Sequence, residues 1–126
     1  MFTRLITAGA LTLSLAASAL AEGDTAAGEK VFNKCKACHM VGEDAQNRVG
    51  PVLNGIVDRP VAAGEGFKYS DVFQEKAAEG AVWSEEELAA FLASPRKYAK
   101  GTKMAFPGLR KDAEIAAVIA YLATFK

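Results

Sequence analysis

Ile115, Val118, Ile119 and Leu122 recur at i, i+3, i+4 and i+7, the spacing of one helix face, and predict a helix opening near Asp112. A second apolar stripe, Leu88, Phe91 and Leu92, follows Ser84. Glu87 stands three residues after that serine, so a capping box is expected to open a helix through about Ala93. Pro95 ends it and suits the start of a short helical turn over 96–100. Asp24 is placed to cap one more helix, to about Lys34, with Val31 and Phe32 apolar and Gly28 four residues before Phe32. Between 40 and 69 the periodicity fades. Gly42, Gly50-Pro51, Gly55, Pro60, Gly64 and Gly66 punctuate this stretch, which reads as loop. A second irregular stretch runs from Lys100 to Lys111.

The first 21 residues follow another pattern. Arg4 is the only charge before Glu22, an apolar run extends from Leu5 to about Leu20, and Ala19-Leu20-Ala21 has small residues where a signal peptidase reads. Residues 1–21 are expected to be a cleaved export signal and 22–126 a single domain. Export of a bacterial type points to the periplasm, an oxidising compartment. No later run approaches the ~20 apolar residues of a membrane span.

Composition narrows the function. Fifteen basic and fifteen acidic side chains leave no formal net charge, which argues against nucleic acid as a partner. Apolar residues make up 51% of the chain, which excludes a disordered one. Two cysteines are too few for a disulfide scaffold. Short helices and long loops in so small a domain bury little apolar area against their ordering entropy. A large apolar cofactor would complete such a core.

Residues 35–39 read Cys-Lys-Ala-Cys-His. Two cysteines at this spacing can each add to a vinyl group of one haem, and the histidine that follows can reach the iron, which is the c-type haem attachment pattern. Three other readings compete with it. A redox-active dithiol normally follows a strand in a βαβ unit, and that pattern is missing here. A structural zinc site needs four ligands where Cys35, Cys38 and His39 supply three. An ordinary disulfide remains. As His39 is the only histidine, a second axial ligand must be of another type. Met104, in the segment Lys100-Gly101-Thr102-Lys103-Met104, lies off any helix stripe. Methionines more often fill cores, but its polar setting favours a ligand role, and a thioether stabilises ferrous iron.

With these motifs, the chain resembles the class I c-type cytochromes, cytochrome c2 and mitochondrial cytochrome c among them, from about Gly28 to Leu122. The resemblance implies an all-α fold of three to five helices around one covalent haem c. His39 and Met104 would be the axial ligands, and the Pro51 carbonyl would accept the histidine Nδ1–H. Arg59, Tyr69, Trp83 and Thr102 would lie near the haem propionates. Leu53, Leu88, Leu92, Phe106 and Ile119 would wall the haem. Two departures stand out: Phe91 replaces a family tyrosine, and Phe73 and Gln74 occupy the region of an expected asparagine, in a stretch between Asp71 and Trp83 about three residues longer than in the mitochondrial proteins.

With both axial positions filled, the expected function is one-electron transfer and not catalysis. A monomer is expected, docking transiently through a basic rim of Lys34, Lys36, Lys97, Lys100 and Lys103, with Arg96, Arg110 and Lys111 nearby, on acidic membrane complexes. The route implied runs from a cytochrome bc1-type complex to a reaction centre, a terminal oxidase or a denitrification enzyme. The alternatives are a haem peroxidase or sensor with a labile sixth ligand, and a thiol–disulfide oxidoreductase using Cys35 and Cys38.

Overall fold

A computed structural model of the protein describes residues 24–126. The expected export signal lies outside them. The first helix, α1, spans Thr25–Phe32. The Asp24 carboxylate accepts from the amides of Ala26 at 3.0 Å and Ala27 at 3.3 Å, two donors that a helix start leaves open. The helix stops two residues short of the expected Lys34. The amides of Asn33, Lys34 and Cys35 bond back three residues to Lys30, Val31 and Phe32, and the chain tightens into turns through Cys38.

The C-terminal helix, named α5 below, spans Asp112–Ala123 as the stripe predicts and buries Ile115, Ala117, Val118, Ile119 and Leu122. Its packing on α1 is the most extensive helix contact. Phe32 and Val118 are among the most deeply buried side chains, each 2% exposed. The crossing is close because residue 28 has no side chain. A Cβ there would overlap the Ala117 carbonyl and lie 2.7 Å from the Tyr121 Cβ.

Between these helices come α2, Asp71–Ala78, α3, Glu85–Ala93, and α4, Pro95–Tyr98. The capping box before α3 is half formed. Ser84 Oγ accepts from the Glu87 amide at 3.2 Å, but the Glu87 carboxylate accepts from the Tyr98 hydroxyl of α4 instead of returning to Ser84. The sequence pattern does not predict α2, and the reason is visible in its packing. It buries only Phe73, and its backbone lies apart from the other helices among the described residues. Phe73 inserts beside Trp83 and Phe91, with ring centroids 5.6 Å away in both cases, and Lys76 Nζ lies 4.6 Å from the centre of the Tyr98 ring. One apolar anchor leaves no stripe to read.

The long loops are held by backbone pairing. Asp58 donates to the Trp83 carbonyl at 2.7 Å, Trp83 to that of Arg59 at 2.8 Å, and Val61 to that of Ala81 at 2.9 Å, around a bridge between Pro60 and Val82. Among the described residues the fold is thus all-α with five helices, within the three to five expected, and its loops carry most of the residues singled out for chemistry.

Two outcomes follow from this packing. Gly28→Ala at an open helix position would stabilise by about 1 kcal/mol through helix propensity. Against the Ala117 backbone, which cannot yield, the sign reverses. Denaturant unfolding should show a loss of about 2 kcal/mol or more. The second outcome concerns Tyr98. Burial, reinforced by its bond to Glu87, pushes the hydroxyl from 10 up to about 12. The neutral hydroxyl therefore adds stability in full below pH 10, which is lost as the pH rises from 10 to 12. Unfolding followed across that interval should lose this slope in Tyr98→Phe.

Candidate functional site

The turns after α1 bring the cysteines and His39 together. The amides of Cys38 and His39 both bond the Cys35 carbonyl, at 3.1 and 2.9 Å. The two cysteines form no disulfide with each other and are half-buried. Burial pushes the Cys35 thiol up, only partly offset by Lys34, and Cys38 adds to the rise. A nucleophilic thiol needs the opposite shift, and this pair follows a helix, not a strand, so the geometry speaks against thiol exchange.

His39 Nδ1 lies 2.7 Å from the Pro51 carbonyl oxygen. A carbonyl can only accept, so Nδ1 carries the proton and Nε2 of the neutral ring keeps its lone pair. Burial lowers the imidazolium pKa, with the Pro51 bond working the other way, and the neutral ring is favoured. The loop that supplies Pro51 is tied to the cysteine turn: Gly50 donates to the Cys38 carbonyl at 2.9 Å and the Arg48 guanidinium reaches the Lys36 carbonyl at 3.4 Å. Gly50 is a turn glycine in sequence but a cradle in space. A Cβ there would overlap the imidazole, 2.7 Å from Nδ1 and 2.8 Å from Nε2.

Met104 belongs to an extended segment with alternating exposure. Gly101, Lys103, Ala105 and Pro107 face solvent, whereas Thr102, Met104, Phe106 and Gly108 are half-buried. Thr102 Oγ1 accepts from the Met104 amide at 3.3 Å. Leu109 donates to the Leu92 carbonyl at 2.8 Å, which docks the segment on the end of α3. Cys35, Met104, Leu53, Tyr69 and Phe106 all border the core that contains Leu88, Leu92 and Ile119.

Arg59 and Tyr69 meet at one place. The Tyr69 hydroxyl accepts from the Gly64 amide at 3.0 Å, and a Cβ on Gly64 would lie 3.8 Å from an Arg59 terminal nitrogen. Arg59 Nη1 donates to the Asn54 carbonyl at 3.1 Å, while its Nε is buried with no partner. Ser70 Oγ, next to Tyr69, is also buried and unpartnered. Each such atom costs about 1–3 kcal/mol unless something fills its hydrogen bond. An anionic oxygen-bearing group would fill both. Sequence reasoning missed Ser70, which belongs to no motif and proves to be the N-cap residue of the unpredicted α2. Here its side chain makes no cap bond.

Trp83 is buried among Phe73, Phe91 and Tyr98, with centroids 5.1 Å from Phe91 and 5.9 Å from Tyr98. The two departures noted in sequence, Phe73 and Phe91, thus pack on each other and on Trp83 as hydrocarbon. The residues present fit a large apolar group carrying carboxylates: thiols to attach it, an imidazole lone pair, apolar walls, and open donors. Lys34, Lys36, Lys97, Lys100 and Lys103 are all exposed. Lys34 lies 3.8 Å from Glu114, and Lys103 donates to the Lys68 carbonyl at 3.4 Å. No helix among the described residues is long and apolar enough to cross a membrane.

The chain is similar to known proteins. The sequence profile of the family described as cytochrome c matches residues 25–126. Cytochrome c-554 of Methylosinus trichosporium is 52% identical over 110 residues, 87% of this chain and 81% of that protein. Cytochrome c2 of Agrobacterium tumefaciens is 46% identical, covering 80% and 91%. The solved structure of cytochrome c2 from Rhodospirillum centenum superposes with a TM-score of 0.76 at 42% identity, over 82% of this chain and 98% of that one. The chain belongs to the cytochrome c family, one-electron carriers rather than enzymes, built on one covalently attached haem c.

Proposed function

We propose that this cytochrome is an exported, monomeric carrier of the bacterial periplasm, freed from its leader after Ala21. We assign its site as follows. Cys35 and Cys38 form the thioether bonds. His39 Nε2 and the Met104 sulfur would hold its iron. Arg59, Tyr69, Thr102, Trp83 and Ser70 surround the propionates. The observation that carries this reading is the 2.7 Å approach of His39 Nδ1 to the Pro51 carbonyl, since it fixes the ring and leaves the Nε2 lone pair unused, one residue from a half-buried thiol.

The bound haem supplies one metal centre that gains and loses a single electron. The chain's residues do the rest. The Pro51 carbonyl holds the imidazole in one tautomer and orientation and raises its basicity. Thr102 fixes the backbone of Met104 through its amide. A soft sulfur ligand and apolar walls favour the ferrous state. Arg59 and the neighbouring hydroxyls compensate carboxylate charge that would be costly to bury unpaired. With His39 and Met104 both holding the iron, external ligands would be kept out.

The exposed lysines form the docking rim for acidic membrane complexes. An electron path from a cytochrome bc1-type complex to a reaction centre, terminal oxidase or denitrification enzyme fits such a carrier. Among the rim residues, Lys34 contributes less, because Glu114 already offsets its charge.

The visible spectrum tests the ligation. The reduced protein should show sharp low-spin bands, and the oxidised protein the weak red band of a sulfur–iron bond. Met104→Leu should abolish the red band and lower the reduction potential by a sizeable part of the roughly 0.8 V range set by axial ligands. A red band that survives this change would remove Met104 from the iron. The docking rim has its own test. Lys36→Glu together with Lys103→Glu should slow electron exchange with an acidic membrane complex about tenfold or more at low salt, and the difference should vanish at high salt. Equal rates would dismiss the steering role.

A further inference from the structure

Arg59 owes its position to a residue that carries no charge and shows no sequence motif. Its Nη1 donates to the backbone carbonyl of Asn54 at 3.1 Å. The position of that carbonyl is fixed in turn by the Asn54 side chain. Asn54 Oδ1 accepts from the Gly42 amide at 2.9 Å, and Asn54 Nδ2 donates to the Gly42 carbonyl at 2.7 Å. A carboxamide carries one donor edge and one acceptor edge, so it can pair with both polar groups of a single residue as a neighbouring strand would. Gly42 makes this feasible through its backbone. Its φ of 110° lies in a region that other residues rarely adopt, and open space surrounds the place of its missing Cβ. One residue before Asn54, the Leu53 amide bonds the Met40 carbonyl at 3.2 Å, and one residue after it, Gly55 donates to the Phe125 carbonyl at 2.9 Å.

The peptide at Asn54 is therefore anchored to the segment just after His39, to the C-terminus and, through its own oxygen, to the guanidinium. Alternative partners for Arg59 are few. Its Nε has none, and its other terminal nitrogen lies near Gly64 and Tyr69. A guanidinium is a rigid planar fork, so fixing one corner orients the remaining donors.

We propose that Asn54 is a positioning residue for Arg59: its clamp on Gly42 holds the carbonyl that aims the guanidinium, and so sets how much positive charge Arg59 places against the haem propionates. The inference rests on the assignment of Arg59 to those propionates. Loosening the clamp would let the guanidinium drift toward water. Less compensated carboxylate charge favours ferric iron, so the reduction potential should fall.

The experiment is a double-mutant cycle on the haem-loaded protein, with potential and thermal unfolding measured for Asn54→Ala, Arg59→Gln and the pair, and the red band monitored to confirm unchanged ligation. The expected result is a lower potential in each single variant and, in the pair, a potential no lower than in Arg59→Gln alone. Should Asn54→Ala fail to fold, Asn54→Ser, which keeps one oxygen able to accept from Gly42, replaces it in the cycle with a smaller shift in the same direction. A drop in unfolding temperature with no change of potential would reduce Asn54 to a structural residue and overturn the inference, as would fully additive shifts. If Arg59→Gln alone leaves the potential unchanged, the propionate assignment itself fails and the inference falls with it.

Discussion

The bond between His39 Nδ1 and the Pro51 carbonyl is the constraint on which the site depends. It settles the tautomer, and with it which ring nitrogen is available. It also requires the peptide between residues 50 and 51 to lie against the imidazole, which only a glycine at 50 permits. The same loop is tied back to Cys38 and Lys36, so the cysteine turn, the ring and the loop behave as one unit. The helices serve this unit more than they resemble a bundle. Gly28 lets α1 and α5 cross closely, and the chain leaves α1 directly into the turns that carry Cys35, Cys38 and His39.

Polar satisfaction explains how so small a fold accepts long loops. The loops around residues 40–69 would be a poor use of ordering entropy if their backbone groups merely met water. Instead the Arg59 and Trp83 segments pair backbone to backbone, Asn54 grips Gly42, and Asn47 spans from Val52 to Glu65. The remaining unpartnered buried atoms, on Arg59 and Ser70, then stand out because their surroundings are so well paired. In the proposed assignment they are the groups that a doubly carboxylated cofactor completes, and its apolar ring supplies the core that the short helices lack.

Much of this was legible in the sequence because it follows from local rules. Asp24 as a cap, the stripes of α3 and α5, Pro95 as a boundary and the glycine-rich loops each depend on a few neighbouring residues. The Cys35-to-His39 motif is likewise local, and its spacing alone carries chemistry. What escaped detection is non-local. The helix α2 rests on Phe73 alone, whose burial depends on Trp83 and Phe91. The return half of the Ser84–Glu87 box lost to Tyr98, a competitor on another helix. Ser70 and Asn54 look like any loop serine and asparagine, because whether a hydroxyl lacks a partner, or an amide finds a glycine twelve residues away, is decided only by the tertiary fold.

The hydrogen bonds at the site share one further feature, which bears directly on electron transfer. His39 is held by the carbonyl of Pro51 and Arg59 by that of Asn54; the Tyr69 hydroxyl is held by the amide of Gly64 and the Thr102 hydroxyl by that of Met104. In each pair one partner is backbone. Backbone dipoles neither titrate nor swing between rotamers, so a change of one charge nearby finds an environment with little freedom to rearrange. A carrier that must pass electrons in both directions gains from such a preorganised surrounding, for the same reason that preorganised dipoles aid catalysis: no reorganisation is required at the moment of transfer. The proposed docking rim needs the opposite property. Its lysines are exposed and mostly untethered, suited to brief contact with more than one acidic surface. In the proposed assignment, rigidity around the cofactor and adaptability at the surface are thus separated within a single small fold, the first held by the backbone and the second left to side chains in water.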